Sequence, residues 1–131
     1  MKLLLDTHIW VWSQLDPDRL SRKVRAALQA PDAELWLSPI SVWELLLLIE
    51  AGRVKVHGDP AAWVEEALRA GPFREAPLTH AAALETRRVA LRHRDPADRF
   101  LVATARVLDL ALVTADTRLL DAKQCTLLAN R

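Results

Sequence analysis

Short apolar segments alternate along this chain with stretches that have the pattern of helices, and this alternation constrains the fold more than any other feature. Strands joined by helices form right-handed crossovers in a mostly parallel sheet that is covered by helices on both faces. We therefore predict an α/β fold with one parallel sheet of four to five strands sandwiched between helices. The predicted strands are Lys2–Leu5, Glu34–Leu37, Arg74–Ala76, Ala111–Val113 and a weaker one at Cys125–Leu128.

Capping residues mark the helices between these strands, since Ser or Asp precedes several of them and Gly follows two. The connecting segments are short, and no repeat or flexible linker interrupts the chain. We therefore expect residues 1–131 to form a single domain. The predicted helices are Arg22–Ala30, Ile40–Ala51, Pro60–Ala70, one from about Ala81 to Arg92, and Pro96–Asp109.

Composition excludes several classes of protein. The formal net charge is only +1, so any contact with nucleic acid must be local. The single cysteine, Cys125, cannot form an intramolecular disulfide, and no zinc-type spacing of cysteine and histidine occurs. The most apolar stretch, Leu35 to Ile49, is too short for a membrane span, and the N-terminus lacks the apolar core of a secretory signal. We expect a cytoplasmic protein with no membrane association.

Two aspartates lie just after the ends of predicted strands. Asp6 comes after Leu3-Leu4-Leu5, and Asp116 comes after Val113 with two residues between them. Ligands of open α/β sheets bind beyond the carboxyl ends of the strands, where both side chains would lie. Either aspartate could instead serve only as the N-cap of a following helix.

Glu44 is the least ordinary acidic residue, because apolar residues surround it in the predicted helix segment Ile40–Ile49. An ionised carboxylate in such surroundings is costly unless it is paired or bound to a cation. Its position inside the helix excludes capping, although a salt bridge or an edge position touching water remains an alternative. We interpret Glu44 as a functional residue.

Asp95 and Asp98 open the helix that begins at Pro96. An aspartate at the N-cap and a second acid in the first turn are favoured electrostatically at any helix N-terminus. The apolar run after Asp98 nevertheless indicates a buried helix whose first turn faces the crevice. In a parallel sheet Asp6, Glu44, Asp98 and Asp116 can therefore converge at one edge.

Converging carboxylates require a cation, because otherwise they repel and raise one another's pKa. A site with oxygen ligands only favours Mg²⁺ or Mn²⁺ over zinc. The hydroxyl groups of Thr7, Ser41 and Thr114 stand beside three of these acids and could orient ligands, or could bond only to local backbone.

Taken together, four segments resemble the PIN-domain family, and within it the toxins of VapBC-type toxin–antitoxin modules. The resemblance implies a carboxylate quartet of Asp6, Glu44, Asp98 and Asp116 that binds Mg²⁺ or Mn²⁺ and cleaves RNA endonucleolytically, with Asp95 as a neighbour of undecided role. It further implies a type II toxin with a small antitoxin partner and a homodimer. The segments are Leu5-Asp6-Thr7-His8, Ser41-Val42-Trp43-Glu44, Asp95-Pro96-Ala97-Asp98-Arg99 and Thr114-Ala115-Asp116.

Other conspicuous residues give weaker expectations. Arg99 could contact substrate phosphate, or could simply be solvated. Two basic runs, Arg87 to Arg94 and Arg19 to Arg25, are candidates for an RNA-facing rim. Trp36 and Trp43 are expected in the core.

Three rival functions are compatible with parts of this pattern. A Mg²⁺-binding receiver domain fits poorly, because Thr7 rather than a second acid follows Asp6. A non-catalytic interaction domain would leave Glu44 unexplained. A flap-type nuclease acting on DNA would carry more acids on a longer chain.

Overall fold

A five-stranded, entirely parallel sheet organises the molecule. The computed structural model describes residues 1–131. The sheet has the order β3-β2-β1-β4-β5, and this confirms the predicted α/β class. Its strands lie within two residues of the predicted bounds: β1 (Lys2–Leu5), β2 (Glu34–Leu37), β3 (Phe73–Glu75), β4 (Ala111–Thr114) and β5 (Leu127–Ala129).

Seven α-helices flank the sheet. Side-chain caps begin most of them, as at Ser21, Asp59 and Thr79, whose oxygens accept hydrogen bonds from backbone N–H groups of the first turn. None of the helices is long and apolar enough to cross a membrane. The helices are α1 (Thr7–Leu15), α2 (Arg22–Gln29), α3 (Pro39–Glu50), α4 (Pro60–Ala70), α5 (His80–Glu85), α6 (Pro96–Leu108) and α7 (Thr117–Ala122).

The hydrophobic core is divided by the sheet into two layers. Leu3 and Leu5 of β1 face the layer that helices α1 to α4 cover, whereas Leu4 faces the layer of α6 and α7. All three leucines are fully buried, and burial of each contributes about 1.5–3 kcal/mol. The central strand is thus buried on both faces, which fixes the position of its carboxyl end.

The predicted helix from Ala81 to Arg92 is wrong in its second half. Helix α5 ends at Glu85, and a short 3₁₀ turn covers Thr86–Arg88. Continuation would require the backbone groups of this segment to bond to one another. Instead the Ala90 N–H donates to the side chain of Gln124 at 2.9 Å. The carbonyl of Val89 accepts from Arg99 Nη1 at 2.5 Å. Tertiary partners therefore end the helix.

The expectation that both tryptophans lie in the core is also corrected. Trp43 is 53% exposed, because α3 turns Ser41 and Leu45 toward the interior and Trp43 away from it. Trp36 is half-buried against the second core layer, and its ring N–H donates to Glu34.

Candidate active site

A cleft of about 330 Å³ lies at the carboxyl ends of the strands and is lined chiefly by acids. The chain runs from β1 toward β2 on one side, whereas β4 lies on the other side of β1, so the cleft opens at the point where the strand order reverses. All four predicted quartet residues line it. The lining consists of Asp6, His8, Trp12, Glu44, Asp95, Asp98, Ala115, Asp116 and Arg118.

Asp6 occupies the centre of this edge, directly after β1. It caps α1 through a 2.7 Å hydrogen bond from the Thr7 N–H, so the capping interpretation is correct as far as it goes. Its second carboxylate oxygen accepts a 2.6 Å bond from the Thr114 hydroxyl of β4. Burial raises the pKa of Asp6, and these two bonds oppose the increase. Asp6 is therefore both a cap and a buried carboxylate that faces the cleft.

Glu44 reaches the same cleft from the second turn of α3. Thr7 Oγ1 donates to Glu44 Oε1 at 2.5 Å, and the same hydroxyl oxygen lies 3.0 Å from Ser41 Oγ. Partial burial raises the pKa of Glu44, and the negative charges of Asp6 and Asp95 raise it further. Glu44 is half-buried at the edge of the cleft, so the expectation that apolar residues surround it is corrected.

Asp98 stands in the first turn of α6 with only 8% of its side chain exposed. Burial is the main reason why its pKa rises to about 6, and the neighbouring charges of Asp6, Asp95 and Asp116 add to the increase. The ring nitrogen Nε2 of His93 lies 2.8 Å from Asp98 Oδ2. This contact opposes the increase in pKa.

Asp116 follows β4 and caps α7. The guanidinium of Arg118 donates to both oxygens of the Asp116 carboxylate, with Nε 3.1 Å from Oδ1 and Nη2 2.8 Å from Oδ2. These bonds lower the pKa of Asp116, in contrast to the other three acids.

Asp95 and Arg99 had undecided roles in the sequence. Asp95 lines the cleft, and it also caps α6 by accepting a 3.0 Å bond from the Ala97 N–H. Arg99 points away from the cleft, because its guanidinium binds the carbonyl oxygens of Val89 and Thr86. Arg99 is therefore held by backbone carbonyls and does not line the cleft.

Two functional-site residues, His93 and Arg118, escaped the sequence reasoning. The sequence places His93 in a basic run and gives no separate indication for Arg118. The only available signal was proximity in sequence, since each lies within five residues of an acid that it contacts.

The carboxylate oxygens at this site are the type of ligand that a hard divalent cation prefers. The four carboxylates line one cleft with no thiolate among them, and the pKa values of three of them are raised mainly by burial and further by neighbouring negative charges. In the present arrangement no three acidic, histidine or cysteine side chains are placed to hold one ion together. Each carboxylate is instead paired with a donor of its own: Thr114, Thr7, His93 and Arg118.

Comparison with known proteins agrees with this description. The PIN domain profile matches residues 3–124, which confirms the resemblance seen in the sequence and gives no support to the receiver alternative. The chain is 35% identical over 120 residues to Ribonuclease VapC22 of Mycobacterium tuberculosis, covering 89% of this chain and 88% of that protein.

Solved structures show the same fold. One is VapBC2 from Rickettsia felis bound to a promoter DNA fragment, with a TM-score of 0.72, 16% identity and 98% coverage of both chains. Another is FitAcB from Neisseria gonorrhoeae, with a TM-score of 0.69, 22% identity, and coverage of 98% of this chain and 97% of that one.

Proposed function

Because this chain belongs to the PIN domain family, we propose that it is a divalent-metal-dependent endoribonuclease. The observation that carries the proposal is the convergence of Asp6, Glu44, Asp98 and Asp116 from four separate elements on one cleft. The ribonuclease name of the 35%-identical relative supports RNA as the substrate. Residues 1–131 would act as one nuclease domain.

Mg²⁺ or Mn²⁺ would be held by the four carboxylates of the quartet. When bound, the cation supplies the Lewis acidity that activates water and neutralises charge on the phosphodiester. The protein's own contribution is orientation: Thr114 fixes the carboxylate of Asp6, and Thr7, braced by Ser41, fixes that of Glu44.

Water rather than a protein side chain is the proposed nucleophile. The nine residues that line the cleft include no serine, threonine or cysteine. The water oxygen forms a new bond to phosphorus, one bridging phosphorus–oxygen bond breaks, and the departing oxygen takes a proton. Hydrolysis therefore needs no covalent enzyme intermediate.

A toxin role follows from the proteins that this chain resembles. Several are solved as toxin–antitoxin assemblies, among them complexes from Klebsiella pneumoniae and Mycobacterium tuberculosis. We infer that this chain is the toxin of a type II module, with RNA as substrate, a small antitoxin as partner, and a homodimer as its assembly. The exposed apolar side chains of Trp43 and Leu47 on α3 support a protein-binding surface.

The direct test is cleavage of single-stranded RNA by purified protein. We expect cleavage with Mg²⁺ or Mn²⁺, none in EDTA, and at least a hundredfold loss in Asp6→Asn, because removing a catalytic group typically costs about that much or more. Asp18→Asn, which alters an exposed acid outside the cleft, serves as the matched control. Undiminished cleavage in EDTA or by Asp6→Asn would refute the proposal.

The toxin role has a separate test in cells. Expression of the wild-type gene alone is expected to arrest growth, whereas Asp98→Asn protein at the same level is expected not to. Equal growth of the two strains would contradict the toxin assignment while leaving the nuclease activity to the assay above.

A further inference from the structure

A second cavity adjoins the acidic cleft but is distinct from it. It measures about 870 Å³ and lies between the segment 90–93 and α7. Arg118 lines both spaces, and His93 lines the cavity while it contacts Asp98 in the cleft. A chain that passes through the cleft can therefore continue into this cavity. Its lining consists of Ala90, Leu91, Arg92, His93, Arg118, Asp121 and Ala122.

The cavity and the cleft differ in charge. The cleft presents five acids, which repel a polyanion that has no cation beside it. The cavity presents the arginines Arg92 and Arg118 against the single acid Asp121. The cavity is therefore the less negative of the two spaces for phosphate groups that no cation neutralises.

Arg118 is the only lysine or arginine that lines the acidic cleft. Two neighbouring arginines of α6 are engaged elsewhere: Arg99 with backbone carbonyls, and Arg106 with Glu85 and the Gln124 carbonyl. Their guanidinium groups are held by the fold, so among these three arginines only Arg118 faces the cleft.

The guanidinium of Arg118 has N–H donors that are not used within the protein. Its side chain is 57% exposed, and only Nε and Nη2 donate to Asp116, so Nη1 has no hydrogen-bond partner. Guanidinium groups carry five N–H donors in a planar fork that matches phosphate as well as carboxylate.

We propose that this cavity holds the RNA strand next to the cleaved bond, and that Arg118 binds one of its phosphates. The inference rests on the proposed ribonuclease function. Arg118 pairs with Asp116 through Nε and Nη2, and its remaining N–H donors are free to bind RNA. Arg92, exposed on the opposite wall, adds a second positive charge along the same path.

Two measurements on Arg118→Ala test this assignment: KM for RNA, and the affinity for Mn²⁺ in the absence of RNA. In Arg118→Ala we expect KM for single-stranded RNA to rise about tenfold, the low end for a lost charge-assisted hydrogen bond. Loss of one phosphate contact also reduces the salt slope of log(kcat/KM) by about 0.7. The affinity for Mn²⁺, measured by calorimetry without RNA, is expected to stay constant or to increase, because no guanidinium then competes for Asp116.

Two further variants serve as controls. Arg118→Lys keeps the charge, so its salt slope is expected to match that of the wild type while its KM rises less. Arg69→Ala removes an exposed positive charge on α4 that lies outside both basic runs and lines neither space, and it is expected to change neither KM nor slope.

The results distinguish an Arg118 that binds RNA from one that only positions Asp116. Wild-type KM and slope in Arg118→Ala would overturn the inference. A fall in Mn²⁺ affinity as large as the fall in kcat/KM would overturn it too, because Arg118 would then act only by positioning Asp116. If the wild-type protein cleaves no RNA at all, the proposed function itself fails.

Discussion

Replacing Asp98 with asparagine is expected to stabilise the ion-free protein while it removes the proposed activity. The pKa of Asp98 is raised from 3.8 to about 6, mainly by burial. Since one pKa unit corresponds to about 1.4 kcal/mol, the ionised carboxylate destabilises the folded protein by about 3 kcal/mol. Asparagine retains an oxygen that accepts a hydrogen bond from His93, so most of this cost is recovered.

The sign of the effect determines its pH dependence. A raised pKa means that the folded protein holds the Asp98 proton more tightly than the unfolded chain does. The destabilisation is therefore absent at pH values below 3.8, develops up to about 6, and is complete above that pH. We expect the gain of Asp98→Asn to grow over the same interval.

Urea denaturation in EDTA at a series of pH values measures this gain. The control is Asp18→Asn, whose exposed carboxylate is expected to change stability by less than about 0.5 kcal/mol. Addition of Mg²⁺ is expected to stabilise the wild type more than Asp98→Asn, because the cation offsets the repulsion that asparagine has already removed. A variant less stable than the wild type at pH 8, or a difference that does not vary with pH, would refute the reasoning.

Three further substitutions separate structural from functional roles. Arg99→Leu leaves two carbonyl groups without their donor and is expected to lower the free energy of unfolding by about 1–3 kcal/mol with unchanged RNA affinity, as measured by urea denaturation and by KM. Leu112→Ala in the fully buried centre of β4 is expected to cost about 2–5 kcal/mol, measured in the same way. Thr114→Val removes the donor to Asp6 and is expected to weaken Mn²⁺ binding about 10- to 100-fold in calorimetry, whereas wild-type affinity would show that the hydroxyl is dispensable.

The position of the acidic cleft could be predicted in part, because two of its acids follow strands that the sequence pattern indicates. Asp6 and Asp116 each follow a buried strand, and in a parallel sheet neighbouring carboxyl ends meet at one edge. The prediction required only that β1 and β4 be adjacent, which their mutual pairing satisfies.

Features that depend on contacts remote in sequence could not be predicted. The segment that follows α5 is held by Arg99 and by Gln124, which is 34 residues from the backbone N–H group that donates to it. The exposure of Trp43 could not be predicted, because α3 carries apolar residues on every side. The sequence of this helix therefore does not indicate which face packs inward.

The roles of His93 and Arg118 also depend on tertiary placement. Local sequence shows a histidine in a loop and an arginine in the first turn of a short helix, and both are common at protein surfaces. Arg118 lies two residues from Asp116 and contacts it locally, but only the folded chain places this arginine at the border of two cavities.

The most direct test of the account is the rate of RNA cleavage as a function of Mn²⁺ concentration for Glu44→Gln, compared with Glu50→Gln on the same helix. Glu50 is exposed, so its variant is expected to match the wild type in both rate and metal dependence. We expect Glu44→Gln to lose at least a hundredfold in rate at subsaturating Mn²⁺. If the cleavage rate depended on Mn²⁺ concentration in the same way in both variants, a metal-dependent site formed by this quartet would be contradicted.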